Sequence, residues 1–187
     1  MKVIVLFASP NKDGLTAACA QALVEGIQQG GSEAESICLN DLNIGQCKAC
    51  NRGWGTCQNE HVCQEQDDFQ GLHEKVAEAD ALGLVTPVYW GDLSEPAKAF
   101  LDRLRRCEAT RREESRMAGK WVVSVGAAGG SGNGTMTCLA SLERWTQHVR
   151  GRVFDLIPVN RWTRGYKLAT IRAAGEALAR ELVEKKF

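Results

Sequence analysis

The sequence predicts an α/β protein, a three-layer sandwich in which helices cover both faces of a five-stranded parallel sheet. Five short apolar runs alternate with longer segments in which apolar residues recur at helical spacing, along all 187 residues. The runs are nearly continuous in apolar residues, which is typical of parallel strands buried on both faces. We find no internal repeat and no linker-like segment, so we expect one domain over residues 1–187.

Each element has a local signal. The run "KVIVLFAS" is the first strand, and the amphipathic segment "LTAACAQALVEGIQQG" is a helix that closes on a glycine. Asp67 and Asp68 suit the start of the second helix, where the helix dipole favours acids. Pro96 fits the first turn of the third helix. The strands are predicted over 2–9, 33–39, 80–87, 120–130 and 152–159, and the helices over 15–30, 67–79, 95–109, 135–150 and 168–186.

Five parallel strands in a doubly wound sheet suggest the flavodoxin-like order 2-1-3-4-5. One connection, the insertion 40–66 after the second strand, is longer than is usual between a strand and a helix. We call it the cysteine loop, because it holds four of the eight cysteines. Ligands of such sheets bind beyond the carboxyl ends of the strands. The loops after strands one, three and four are therefore the candidate site, and the cysteine loop leaves the sheet on the same side.

The charge balance argues against some partners. The chain has 23 basic and 23 acidic residues, without the basic excess that is typical of proteins that bind nucleic acid or anionic membranes. Apolar runs are too short for a membrane span, and the first one is too short for a signal peptide. We therefore expect a cytoplasmic chain with reduced thiols and with neither nucleic-acid nor membrane partners.

The loop after the first strand, "SPNKDGLT", suits a phosphate. Ser9 and Thr16 offer hydroxyls, Asn11 offers an amide, and Gly14 is followed by the free backbone donors of a helix start. The alternative is an ordinary turn in which Thr16 caps the helix.

The loops after the third and fourth strands suit a flat ring. In "TPVYWGDLSEPAK", Tyr89 and Trp90 fit the face of an isoalloxazine, and Gly91 permits a close approach. Otherwise the two aromatics pack over the sheet edge or against another subunit. In "GAAGGSGNG", backbone amides could reach the polar edge of a flavin, or the segment is a mobile surface loop.

The motifs "ASPNKDGLT", "CKAC…C…CQEQDDF" and "TPVYWGDLSEPAKAFLDRL" resemble the NADPH-dependent FMN reductase family of flavodoxin-like proteins, and within it the iron–sulfur flavoproteins. The resemblance implies noncovalent FMN and an oxidoreductase that moves electrons from NAD(P)H or ferredoxin to a small acceptor. Because the flavin carries the chemistry, no catalytic side chain is expected. The implied flavin contacts are Ser9, Asn11, Gly14, Leu15 and Thr16 for the phosphate, and Pro87, Val88, Tyr89, Trp90, Gly91, Gly126, Gly129 and Gly130 for the ring.

The cysteine spacing leaves the metal open. Cys47 and Cys50 form a C-x-x-C pair, and Cys57 and Cys63 follow after six and five residues. Four thiolates can hold a [4Fe–4S] cluster or a structural zinc, or they stay unligated. The iron–sulfur flavoproteins have a third cysteine two residues beyond the first pair, where this chain has Gly53. Cys57 would then supply the third ligand.

The remaining polar residues are given structural roles. We expect small core positions for Cys19, Cys38, Cys107 and Cys138, structural or solvated roles for the three histidines, and a solvated face or subunit contact for 104–116. A cluster needs an FMN of its own chain or of a partner within reach, so a homo-oligomer, a dimer or tetramer, is expected. The alternatives are a cluster-free NAD(P)H-dependent reductase of flavin or quinone, and a non-catalytic electron carrier.

Overall fold

The computed structural model describes residues 1–184 and confirms the predicted parallel sheet. Five parallel strands lie in the order β2-β1-β3-β5-β6, and a two-residue strand, β4, pairs antiparallel with β3. Two residues carry no periodicity, so β4 was not predicted. The strands are β1 (Lys2–Phe7), β2 (Glu33–Cys38), β3 (Ala81–Tyr89), β4 (Asp92–Leu93), β5 (Trp121–Ala128) and β6 (Arg152–Asn160).

The helices follow the prediction with shifted ends. They are α1 (Leu15–Gln29), α2 (Phe69–Glu78), α3 (Glu95–Glu108), α4 (Thr135–His148) and α5 (Arg164–Glu184). The last helix begins four residues before the predicted start at position 168, and its predicted end, 185–186, lies outside the described residues. Among the helices of residues 1–184, none combines the length and apolarity that crossing a bilayer requires.

Two apolar cores flank the sheet. In β1 the side chains alternate, so that Val3 and Val5 join one core while Ile4 and Leu6 join the other. The first core lies under α1 and α5, and the second under α2, α3 and α4. Burial on both faces explains why this strand reads as one apolar run.

The carboxyl ends of the parallel strands meet at one edge, which we call the ligand edge. At the end of β1, Phe7 pairs with Cys38 of β2 and with Val85 of β3. On the other side, Ala128 of β5 pairs with Asn160 of β6. The loop after β1, the cysteine loop and the loops after β3, β5 and β6 therefore leave the sheet side by side.

For the charged run 104–116 the sequence suggested a solvated face or a subunit contact. In the structure part of this run is buried inside the protein. Leu104, Cys107 and Glu108 are fully buried, because α3 turns this side of its last two turns into the core. The prediction for the scattered cysteines is confirmed, since Cys19, Cys38, Cys107 and Cys138 are all buried and free.

Candidate functional site

The loop after β1, residues 9–16, which we call the phosphate loop after its predicted ligand, ends at an uncapped helix. Gly14 is the N-cap residue of α1, and no side chain caps this helix start. Thr16 lies in the first turn and does not serve as the cap. The first backbone N–H groups of α1 are thus free for an anion. Ser9 and Thr16 are both buried, and Ser9 Oγ donates to the Asn11 carbonyl at 3.0 Å, which folds the loop over the helix start.

The loop after β3 is a tight hairpin that presents an indole to solvent. Trp90 and Gly91 form a two-residue turn with φ of 51° and 81° between the paired strands β3 and β4. Positive φ at both positions is typical of a type I′ turn, and it is unusual for a residue as bulky as tryptophan. The Trp90 side chain is fully exposed, and Tyr89 is 42% exposed. Pro87 and Val88, which complete the predicted ring contact, precede them at half-buried positions of β3.

Close glycine contacts join the hairpin to the loops after β5 and β6. A Cβ on Gly134 would lie 2.6 Å from the Cα of Gly91, and a Cβ on Gly132 would lie 2.7 Å from Asn160 Nδ2. Thr137 Oγ1 also donates to the Gly91 carbonyl at 2.7 Å. These contacts bring the three loops together as one rim of the ligand edge.

The three predicted glycines of the loop after β5 fall in two environments. Gly126 is a buried residue of β5, paired with Thr86 and Pro158, and a Cβ there would meet Leu139 at 3.4 Å. Gly129 and Gly130 are exposed just beyond the strand, where an added Cβ would meet nothing within 4 Å. Only the latter two present backbone on the rim.

Two aromatics at the ligand edge were missed by the sequence reasoning. Asn160 Oδ1 accepts the backbone N–H groups of Trp162 and Thr163, both at 3.0 Å. This turn starts α5 early and leaves Trp162 and Tyr166 exposed beside the rim. The asparagine just before a helical pattern was an available signal.

The cysteine loop leaves the sheet beside the phosphate loop. The Cys38 thiol donates to the Ser9 carbonyl at 3.6 Å. A few residues further, Lys12 and Asp41 form an exposed ion pair at 2.8 Å. The insertion therefore begins on the ligand edge, as the strand order predicts.

The four clustered cysteines line one narrow pocket of about 20 Å³, which we call the cysteine pocket. All four thiols are free and half-buried, and Arg103 and Arg106 lie in the same wall. Arg106 stacks on Trp54, with its guanidinium carbon 4.2 Å from the ring centroid. Within residues 1–184, no three His, Cys, Asp or Glu side chains are grouped closely enough to hold a metal ion.

The backbone between these cysteines is left-handed at several positions. Ala49, Asn51 and Arg52 have φ of 45°, 49° and 64°, which is uncommon for residues other than glycine. Such turns gather backbone N–H groups into the concavities found at many phosphate and iron–sulfur sites. Gly53 has φ of 140°, a conformation that other residues rarely adopt. A cysteine at this position would be strained here, which fits its absence.

Two side chains bind the second half of the cysteine loop, one from α2 and one from the segment that follows α3. Thr110 Oγ1 donates to the Cys57 carbonyl at 2.9 Å, and Gln70 Nε2 donates to the Cys63 carbonyl at 3.0 Å. Asp68 is the N-cap residue of α2 and makes no side-chain cap bond, whereas Asp67, one residue earlier, accepts the Phe69 N–H at 3.0 Å, so both acids lie just before the helix and not in its first turn. The last two cysteines are thus fixed to the body of the protein.

A larger pocket of about 610 Å³ adjoins the cysteine pocket, and Cys47 lines both. It lies between the turn after β2 and the start of α3. Its walls mix apolar and polar groups: Leu39, Asn40, Leu42, Ile44, Gln46, Cys47, Glu95, Pro96, Lys98, Ala99 and Asp102. A volume of this size suits a small-molecule ligand.

A buried hydrogen bond joins His73 of α2 to Glu108 of α3. His73 Nε2 and Glu108 Oε1 are 2.7 Å apart, and both side chains are buried. The Glu108 carboxylate also accepts the Arg116 N–H at 2.7 Å and the Ser115 hydroxyl at 3.2 Å. All these contacts join α2, α3 and the segment after α3, so His73 has a structural role, as the sequence predicts for the histidines.

Two curated relatives and a family profile match the sequence. The profile of the NADPH-dependent FMN reductases covers residues 1–158. An iron-sulfur flavoprotein of Methanocaldococcus jannaschii is 33% identical over 135 residues, which are 72% of this chain and 67% of the relative. An iron-sulfur flavoprotein of Methanosarcina thermophila is 26% identical over 153 residues, 82% of this chain and 76% of the relative.

Solved structures share the fold at low identity. A flavone reductase superposes with a TM-score of 0.75 at 17% identity, over 100% of this chain and 64% of its own. The NAD(P)H:quinone oxidoreductase of Methanothermobacter marburgensis superposes with a TM-score of 0.69 at 20% identity, over 95% of this chain and 96% of its own. A flavodoxin from the Archaea superposes with a TM-score of 0.67 at 17% identity, over 98% of this chain and 99% of its own. The sheet order, the phosphate loop and the match over residues 1–158 agree, and the chain belongs to the NADPH-dependent FMN reductase family, whose members are FMN-dependent oxidoreductases.

Proposed function

We propose that the chain passes electrons from NAD(P)H or reduced ferredoxin to a small acceptor, with bound FMN and a [4Fe–4S] cluster as its two redox groups. The observation that carries this proposal is the cysteine pocket. Four free cysteines line one pocket, on a loop that begins beside the phosphate loop. The names of the two relatives support the same assignment.

The loops of the ligand edge would hold the flavin. The uncapped start of α1 and the buried hydroxyls of Ser9 and Thr16 suit its phosphate, with Asn11, Gly14 and Leu15 beside them. The hairpin residues 87–91 and the exposed backbone of Gly129 and Gly130 suit its ring, with Gly126 behind them. When bound, the flavin supplies hydride or single-electron chemistry. The protein positions it and excludes water.

The four cysteines of the cysteine pocket suit an iron–sulfur cluster, and the names of the two relatives favour it over zinc. Zinc draws four sulfurs to about 2.3 Å from one point, whereas each cysteine of a [4Fe–4S] cluster binds a different iron and the sulfurs stay further apart. Cys47, Cys50, Cys57 and Cys63 would be the ligands. Arg103 in the wall would offset the negative charge of the thiolates.

We expect the chain to form a homo-oligomer, a dimer or a tetramer, in the reducing cytoplasm. The cluster needs an FMN within reach, and this FMN can belong to the same chain or to a partner subunit. The fully exposed Trp90 offers an aromatic contact to a partner subunit, at the edge where the flavin would lie. The pocket of about 610 Å³ that shares Cys47 is where a small acceptor would approach the cluster. A cluster-free NAD(P)H-dependent reductase is the second candidate. It is favoured by one observation: within residues 1–184 the four cysteines line one pocket but are not close enough together to hold a metal ion.

The flavin and its donor are tested with protein purified under anaerobic conditions. We expect about one FMN per chain, and we expect NADPH, NADH or reduced ferredoxin to bleach its absorbance. Bleaching by a nicotinamide indicates a reductase, whereas bleaching by ferredoxin alone indicates an electron relay. A chain that retains no FMN, or whose FMN none of the three donors reduces, would contradict the proposal.

The cluster is tested by iron and sulfide content per chain. We expect about four irons per chain in the native protein and a loss of most of them in Cys57→Ser, because Cys57 supplies one of the four ligands. Cys107→Ser is the matched control. Burial first, and then the nearby Cys63 and Cys57, raise the pKa of Cys107 to about 12, so it stays a thiol and its variant should keep the iron. Stoichiometric zinc without iron would rule out the cluster.

A further inference from the structure

One arginine of α3 lies inside the protein, beneath the cysteine loop. The side chain of Arg103 is 2% exposed, and it is among the buried residues of α3 with Phe100 and Cys107. Charged side chains are almost never fully buried unless they are paired, and arginine keeps its charge within a protein. The partners of this guanidinium therefore indicate its role.

The terminal nitrogens of Arg103 hold both ends of the cysteine loop. Nη1 donates to the Gly45 carbonyl at 3.1 Å and to Asp67 Oδ2 at 2.6 Å, and Nη2 donates to the Glu65 carbonyl at 3.0 Å. Gly45 lies two residues before the first clustered cysteine, and Glu65 lies two residues after the last. One side chain thus fixes the distance between the two ends of the segment that carries all four thiols.

One of the five donors of this guanidinium, the Nε–H group, is unused. Arg103 Nε is buried and has no hydrogen-bond partner among the described residues. An unpaired buried donor destabilises the fold, and more so when the group is charged. Arg103 lines the cysteine pocket. Cys63 lines the same pocket, so a cysteine lies near this guanidinium.

A purely structural anchor would not explain the free donor. The loop contacts are made by the terminal nitrogens, and Nε–H contributes to none of them. A cysteine sulfur that carries negative charge is the acceptor this space can offer. A hydrogen bond to such a sulfur stabilises the more negative, reduced state of a cluster and raises its reduction potential.

We propose that Arg103 is a positioning residue of the cluster site, which holds the two ends of the cysteine loop and donates its Nε–H to a cysteine sulfur when the cluster is bound. This role rests on the proposed function. Lysine at this position keeps the charge but has no planar fork of donors. Arg106 is the matched control, because it lines the same pocket with the same charge but is half-buried and stacks on Trp54.

The test compares Arg103→Lys and Arg106→Lys with the native protein. The first measurement is the cluster potential, from a redox titration followed by electron paramagnetic resonance. We expect Arg103→Lys to lower the ratio of reduced to oxidised cluster about tenfold at a given potential, a shift of about 59 mV for one electron, and Arg106→Lys to leave it unchanged. An unchanged potential in Arg103→Lys, or equal shifts in both variants, would overturn the proposal.

The second measurement does not require a bound cluster, so it can also be made on variants that fail to hold one. Amide hydrogen exchange of residues 43–67 is followed in metal-free native protein and in both variants. We expect at least tenfold faster exchange in Arg103→Lys alone, and equal exchange in all three would overturn the positioning role. Native protein without iron would refute the cluster and with it the sulfur hydrogen bond. The exchange result would still decide whether Arg103 holds the loop.

Discussion

Replacing Glu108 with glutamine is expected to lower the free energy of unfolding by about 3–5 kcal/mol at neutral pH, the usual cost of breaking a buried ion pair. The carboxylate has no exposed area, and it faces His73, Ser115 and the backbone N–H of Arg116. A glutamine would present its NH₂ group to one of these donors and remove the charge that they stabilise. Urea unfolding at pH 7 measures the difference.

The effect should depend on pH. Burial raises the pKa of Glu108, but hydrogen bonds from His73 and Arg116 lower it more, to about 2 from an ordinary 4.5. Because the folded value is the lower one, the stabilisation is fully present above pH 4.5 and is lost as the pH falls toward 2. The shift corresponds to a contribution on the order of 3 kcal/mol. The native protein and Glu108→Gln should therefore converge in stability only as the pH reaches about 2.

Glu74 provides the control for this carboxylate. It pairs with Arg116 at 2.8 Å, as part of the same network, but its side chain is 61% exposed. Exposed ion pairs are typically worth less than about 1 kcal/mol. Glu74→Gln should thus have little effect at any pH. Equal losses in the two variants would show that burial does not set the role of Glu108.

The parallel sheet was predictable because its signal is spread over whole elements. The run that became β1 is buried on both faces, and this requires apolar side chains at consecutive positions. The hairpin after β3 was not predictable in the same way. Its strand has two residues, and its type I′ turn has Trp90 at a position that usually takes asparagine, aspartate or glycine. That turn depends on contacts with Thr137, which is distant in sequence.

Site chemistry was predictable only where one loop carries it. The phosphate loop and the cysteine loop each hold their candidate residues within a short segment. Arg103 and Glu108 instead act on groups 36 to 58 and 35 residues away, respectively, and single-sequence patterns do not reveal such pairs. One signal was available for both, because each lies on the same face of α3 as its apolar residues. A charged side chain on an apolar face requires a buried partner.

The double variant Ser9→Ala, Thr16→Ala is expected to weaken FMN binding by about 10²- to 10⁴-fold. Each hydroxyl that donates to a phosphate dianion makes a charge-assisted hydrogen bond worth about 1.5–3 kcal/mol, and two of them give about 3–6 kcal/mol. Both side chains are buried beside the uncapped start of α1, where water competes little for the anion. Titration of the metal-free, flavin-free protein with FMN, followed by flavin fluorescence, measures the affinity.

Ser131→Ala is the control for this experiment, because the Ser131 hydroxyl is exposed and accepts the backbone N–H of Asn133 at 3.3 Å. Its removal should leave FMN affinity within about twofold, since surface changes of this kind cost at most about 0.5 kcal/mol. Far-ultraviolet circular dichroism should match for all variants, so that a lost affinity reports the missing hydroxyls. Native affinity in the double variant would mean that the backbone N–H groups of α1 hold the phosphate alone, or that the phosphate lies elsewhere. Phosphate titration into the same variants separates these two outcomes, because an anion site built by the helix start would still bind it.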